Sequence, residues 1–339
     1  MTLRKRILNY FIKTLNGMAL GLFSTLIIGV IINQIGRLTG IVELQDLAAI
    51  LSGFMGIGIG LGVAFSLELK GLRLLTGAMA GGIATLTLNG GVFGPPGDPV
   101  VAYLTTIAAI EVLRFVLRKP TPVDIVLIPL VSSLVALLVV TIIGQPIATT
   151  MELFGNFIRY ATTIQPFFMG IIIAVLMGMA LTSPISSAAI AFSITLGGIA
   201  GGAAVVGGAV QMIGFAVMSR KDNTIGEVIS IAIGTSMLQF KNILRKPIIW
   251  VPTIVVSAIL GPISTLFFRI ETDVSGAGMG TSGFVGQIAT FDAMSYSSSV
   301  IISVILLHFV FPIILVFLID VWFRKKGLIE LGDLTLKAE

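Results

Sequence analysis

The 339-residue sequence has no cysteine, one histidine and two tryptophans, and only 11% of its residues are charged. Without cysteine there is no disulfide, no thiolate metal site and no phosphocysteine chemistry in the chain. One histidine and no cysteine argue against a metal centre built on His and Cys ligands. No Walker loop, nucleophile elbow or dinucleotide fingerprint is present, so neither a cofactor nor nucleotide hydrolysis within the chain is expected. Soluble domains carry about a quarter charged residues. The shortage is most extreme at residues 160–219, sixty positions without a charged side chain. A bilayer core is crossed by about 20 apolar helical residues. The run therefore holds roughly three crossings' worth of chain, and the sequence reads as an all-α polytopic membrane protein.

What is abundant agrees. Hydrophobic residues make up 56% of the chain, and the mean hydropathy is +1.07. The net charge of +5 comes from short basic clusters between apolar runs. That placement fits orientation in a lipid bilayer rather than binding to nucleic acid. The basic start, Arg4, Lys5 and Arg6, is not followed by a small-residue cleavage site, which favours a retained first span over a signal peptide.

Apolar runs with few or no charges place spans at 14–36, 47–67, 74–89, 100–117, 125–144 and 166–181, two between 184 and 219, then 247–268 and 298–321. The expected count is about ten. Residues 228–240, between Glu227 and Lys241, are too few to cross and suit a re-entrant or interfacial segment. With both termini cytoplasmic, the basic clusters at 4–13, 70–73, 118–119, 220–221, 241–246 and 324–326 fall on one side. The other side receives Arg37, Arg159 and Arg269.

Small-xxx-small glycine pairs recur at Gly56/Gly60, Gly58/Gly62, Gly77/Gly81, Gly197/Gly201 and Gly198/Gly202. They allow close helix approach, either within the subunit or at a dimer seam. Dense glycine also weakens a helix by roughly 1 kcal/mol per residue relative to Ala, so the helix near 197–202 is expected to be broken or tightly packed. Leu117-Arg-Lys-Pro120 returns as Leu244-Arg-Lys-Pro247, a hint of an internal repeat.

Three irregular segments stand out. Asn89 to Pro99, with Pro95, Pro96 and Pro99, is either a plain extracellular loop or a pore mouth formed by Asn89 and Asp98. Around Pro184, the hydroxyls of Thr182, Ser183, Ser186 and Ser187 either close a turn between helices or meet a polyol. The glycine-rich stretch 271–292, with Thr281, Ser282 and Gln287, reads as a functional hairpin that partly enters the membrane. Ionisable groups inside spans default to function. Glu111 lies about two helical turns below the cytoplasmic face, with Arg114 one turn further on, and is either a structural ion pair or a substrate or proton site. His308 sits near the middle of the last span, as a packing residue or a ligand to solute or proton.

Together these segments, the span count and the cytoplasmic ends resemble the enzyme IIC membrane component of the bacterial sugar phosphotransferase system. Within that family the chain is similar to the compact branch that includes the perfringolysin regulator. The resemblance implies a homodimer in a bacterial plasma membrane. Each subunit would have an interface domain (1–160), a transport domain with re-entrant hairpins (161–326) and a short cytoplasmic tail (327–339). It also implies cytoplasmic IIA and IIB partners, with IIB passing phosphate to the bound sugar, so this chain itself would carry no phosphoryl group. One departure is plain: relatives often have a Gly-Ile-Thr-Glu-Pro-like motif whose acid contacts sugar, whereas here Leu181-Thr-Ser-Pro-Ile-Ser186 has serines in place of acids. The expected function is transport of a sugar or small polar metabolite. A membrane-embedded small-molecule sensor, or an ion-coupled carrier using Glu111 or His308, is the alternative.

Overall fold

The computed structural model describes residues 3–87, 98–162, 165–185 and 187–336. It is all-helical, with no strand among the described residues beyond one isolated antiparallel bridge, Gly198 to Thr272. The chain separates into two compact units, Met1–Thr150 and Met151–Glu339.

In the first unit, α1 (Leu3–Leu22) passes through a π-turn (Phe23–Ile27) into α2 (Ile28–Thr39), which ends at Gly40 with a φ of 75°. Then come α3 (Val42–Gly53), α4 (Met55–Ser66), α5 (Leu72–Thr87) and α6 (Pro99–Val116). Asp98 caps α6, its Oδ1 accepting the Val100 amide at 2.7 Å, and Pro99 starts the helix where a missing N–H costs nothing. α7 (Asp124–Ala161) carries the chain into the second unit.

Glycine decides the packing of the first unit. α4 lies between α1 and α5, and a Cβ on Gly60 would sit 2.0 Å from the Gly77 carbonyl oxygen, one on Gly21 2.2 Å from that of Gly58. The Gly56–Gly81 and Gly17–Gly62 pairs are equally tight. These faces are therefore consumed inside the subunit and are not free to serve as a dimer seam.

The second unit holds α8 (Pro166–Thr182), α9 (Ser187–Ser193) and α10 (Gly198–Ser219). Next, α11 (Ile225–Ile229) runs into a π-turn (Ser230–Gly234), a 3-10 turn (Ser236–Gln239) and α12 (Phe240–Arg245). A 3-10 turn (Pro247–Trp250) opens α13 (Val251–Ile263), which ends in a π-turn (Ser264–Phe268). α14 (Val274–Ala277), a 3-10 turn (Ser282–Phe284) and α15 (Val285–Met294) follow. Finally α16 (Ser298–Ile305) continues through a π-turn (Leu306–Val310) into α17 (Phe311–Lys325).

Glycine-rich α10 is unbroken and almost wholly buried, the axis on which the unit packs. A Cβ on Gly207 would lie 1.9 Å from the Ala174 carbonyl oxygen of α8, and one on Gly202 1.8 Å from that of Ile270. Its end is tied to α17 by charge: buried Asp320 accepts from Arg220 at 3.0 Å and Arg324 at 2.9 Å. Past α17 the chain turns back as an ordered strap, with Ile329 and Leu334 buried in the core. Asn223 and Gln239 side chains both donate to the Leu334 carbonyl at 2.8 Å, and Lys246 pairs with Asp333 at 2.7 Å.

Among the described residues, six helices are long and apolar enough to cross a membrane, or seven if α3 and α4, bent by 49°, count as one broken span. That falls short of ten for local reasons. The 60-residue charge-free run yields the 17-residue α8, the 7-residue α9 and one full-length helix, α10, because Pro184 and the polar turns consume chain that hydropathy alone assigns to crossings. Residues 228–240 form short α, π and 3-10 pieces, none of crossing length.

Candidate functional site

Three breaks in helical structure meet beside α10. α8 stops at Thr182 because Ser183 is extended and Pro184 has no N–H to continue the ladder. The second break follows the Ser230–Gly234 π-turn, where Thr235 is extended and its hydroxyl caps the next turn through the Met237 amide. The third is the α14–α15 hairpin, where Gly280 and Gly283 both have a φ of 53°, open to glycine at little cost.

Hydroxyls stitch these breaks together. Thr182 Oγ1 lies 2.8 Å from Ser236 Oγ. Ser282 donates to the Gly234 carbonyl at 2.8 Å, Thr281 to that of Ala232, and Ser187 to that of Gly278 at 2.6 Å. Breaking a helix frees carbonyls, and neighbouring Ser and Thr side chains satisfy them at membrane depth.

From α10, Gln211 reaches into this cluster. Its Oε1 lies 2.9 Å from Trp250 Nε1, 3.0 Å from Thr253 Oγ1 and 3.3 Å from Thr182 Oγ1. One turn earlier on the same face, Gly208 packs against the backbone of Gly280. Gln287 closes the circuit, its Nε2 donating to the Gly280 carbonyl at 3.2 Å and lying 2.9 Å from His308 Nδ1.

These contacts assign protons. A carbonyl only accepts, so the Gln287 atom facing Gly280 is the NH2 group. The same nitrogen faces Nδ1, which must then accept, and the neutral ring carries its proton on Nε2. His308 sits within a π-turn, a backbone defect that recurs at functional sites. Three buried polar atoms of this belt have no hydrogen-bond partner among the described residues: Gln211 Nε2, Gln287 Oε1 and His308 Nε2. The belt thus offers two donors and one acceptor, and none of its members is a carboxylate, lysine or arginine.

Of the residues expected from sequence, the structure gathers Ser187, Thr281, Ser282, Gln287 and His308 in or against the belt. Ser183 turns its hydroxyl back to the Met179 carbonyl of its own helix, at 2.7 Å. Glu111 belongs to the first unit, where its Oε1 accepts from Tyr10 at 2.6 Å and Arg114 at 2.7 Å. Asp98 there acts as a helix cap. Asn89 and Ser186 lie outside the described residues. Sequence reading missed Gln211, Ser236, Trp250 and Thr253. One signal was available: Gln211 and Gln165 are the only side-chain amides in the sixty-residue uncharged run. The other three reach Gln211, directly or through Thr182, only through the fold.

Neither a search of curated proteins nor one of solved structures returned a match. The family described as Phosphotransferase system, EIIC, matches residues 12–336, nearly the whole chain. The chain belongs to that family.

Proposed function

We propose that this EIIC-family membrane component carries a small, uncharged, hydroxyl-bearing solute of the sugar type through its second unit, using the belt around Gln211, Gln287 and His308. The observation that carries the reading is the circuit of uncharged polar groups where three broken segments meet a buried helix. A solute leaving water needs hydrogen-bond partners at depth, and broken helices at mid-membrane are where transporters provide them. An ionised solute would find no opposite charge in the belt, a heavy cost away from water. The same lack of a carboxylate weighs against ion-coupled carriage through this belt.

The first unit acts as the interface domain of a homodimer in a bacterial plasma membrane. Both termini are cytoplasmic, as the Lys and Arg clusters favour, and reporter fusions at each end would be active only in the cytoplasmic mode. Cytoplasmic IIA and IIB proteins supply the phosphate, since no cysteine is available here and the one histidine is buried.

The deciding experiment is a thermal-shift screen of the purified protein with neutral hexoses and hexitols, uronic acids and hexosamines. Stabilisation by a neutral member is expected. No shift with any of them, or the largest shift with a charged one, overturns the reading.

A further inference from the structure

The two ends of the Gln211 side chain are treated unequally. Its oxygen has three donor neighbours, while its nitrogen, equally buried, has no acceptor among the described residues. This orientation is imposed. An indole N–H donates and never accepts, so the amide atom at 2.9 Å from Trp250 Nε1 is the oxygen. The threonines are weaker anchors, because each has one hydroxyl proton and a competing carbonyl on its own helix. Thr253 faces the Trp250 carbonyl at 2.9 Å, and Thr182 faces that of Gly178 at 3.2 Å.

A buried NH2 group without an acceptor is rare in native proteins and costs stability. The amide oxygen serves Thr182, Trp250 and Thr253, but the packing of α8 on α10 makes no use of the nitrogen: that contact is through Gly178, whose Cβ would lie 3.0 Å from Gln211 Cγ, and through Gly207. The hairpin at Gly280 packs one turn away at Gly208, so the wall beside this turn of α10 is irregular backbone rather than a rigid helix. A donor kept unpaired and pre-aimed is what a site for an oxygen-bearing ligand requires.

We propose that Gln211 is the substrate-orienting residue of the belt, its Nε2 donating to an oxygen of a neutral polyhydroxylated solute, and that Trp250 is a positioning residue that holds the amide in that sense. This rests on the reading that the belt binds solute.

The test uses the full chain in detergent or nanodiscs. Trp322→Phe leaves Trp250 as the only indole, because the sequence has two tryptophans. Without any sugar, Gln211→Met in this background should shift the Trp250 indole N–H resonance; an unchanged resonance means the bond does not exist and overturns the proposal. In titrations with neutral hexoses and hexitols, the reference protein should bind, and Gln211→Met should weaken binding at least tenfold. Gln211→Glu keeps an oxygen for the indole but loses the donor, so it should lose neutral sugars while gaining hexosamines. Trp250→Phe, followed by thermal shift, should weaken binding about three- to tenfold and narrow the preference between epimers, with little change in ligand-free melting. If the unaltered protein binds no sugar at all, the solute reading and this assignment fall together. If it binds and the Gln211 and Trp250 variants bind equally well, only the assignment falls.

Discussion

Gln287 Nε2 lies 2.9 Å from His308 Nδ1, joining the α14–α15 hairpin to the last long helix through two buried side chains. This pair should be energetically coupled. Gln287→Leu leaves the His308 acceptor and the Gly280 carbonyl without their donor, at a cost of about 1–3 kcal/mol. Adding His308→Leu removes the stranded imidazole, so the double variant should be less destabilised than the sum of the singles. Additive losses in thermal unfolding would mean that the contact is not formed in the membrane.

Helix approach at Gly207 leaves no room for a methyl group. Gly207→Ala should cost about 1–3 kcal/mol by overpacking, while Gly53→Ala, with nothing within 4 Å of the added atom, should be neutral or slightly stabilising. In the first unit, Gly58→Leu and Gly81→Leu should reduce the yield of folded protein rather than convert dimer to monomer. Size measurement in detergent separates the two outcomes.

The C-terminal strap should stabilise the segment it crosses. Ending the chain after Lys326 removes buried Ile329 and Leu334 together with the bonds to Asn223, Gln239 and Lys246. Burial of each apolar side chain contributes about 1.5–3 kcal/mol. The truncated protein should melt several degrees lower and be cut faster by protease within 222–246. Unchanged protease resistance would show that the strap is dispensable.

Glu111→Gln should change stability little. The carboxylate is paired with Tyr10 and Arg114 but its side chain is 45% exposed, so its removal strands no deeply buried charge. A melting change equivalent to less than about 1 kcal/mol is expected. Normal transport with poor folding would assign Glu111 a structural role.

Lys13 donates to Glu68 at 2.7 Å and holds that carboxyl below its ordinary range, first through the hydrogen bond and then through charge. A lowered folded-state value means the contribution is present above the unfolded carboxyl's titration and lost as pH falls through the folded one. Wild type minus Glu68→Gln stability should therefore shrink below about pH 4.5. The effect should be small, because the pair is solvated. A difference that grows in acid would contradict the contact.

Expectation and structure part company at identifiable residues. Thr281, Ser282, Gln287 and His308 stand out in the sequence because polar groups in apolar surroundings are costly and therefore conspicuous, and the fold places them in or against one belt. Ser183 turns its hydroxyl to the Met179 carbonyl instead, because a hydroxyl next to a helix end can satisfy itself locally. Trp250 gave no signal, since an indole near a membrane boundary is usual for reasons unrelated to a site.

Composition and charge-free runs were sufficient for an all-helical membrane protein, because in lipid every backbone group must be satisfied within its own segment, and that constraint acts locally. Which polar side chain faces which was not decided there. Gln211 meets Trp250 thirty-nine residues away, Thr182 meets Ser236 across fifty-four, and the glycine faces of α4 meet their neighbours rather than a second subunit. Such pairings depend on how the helices are stacked, and hydropathy, which scores each segment by its own exposure to lipid, carries no information about the partner on the other side.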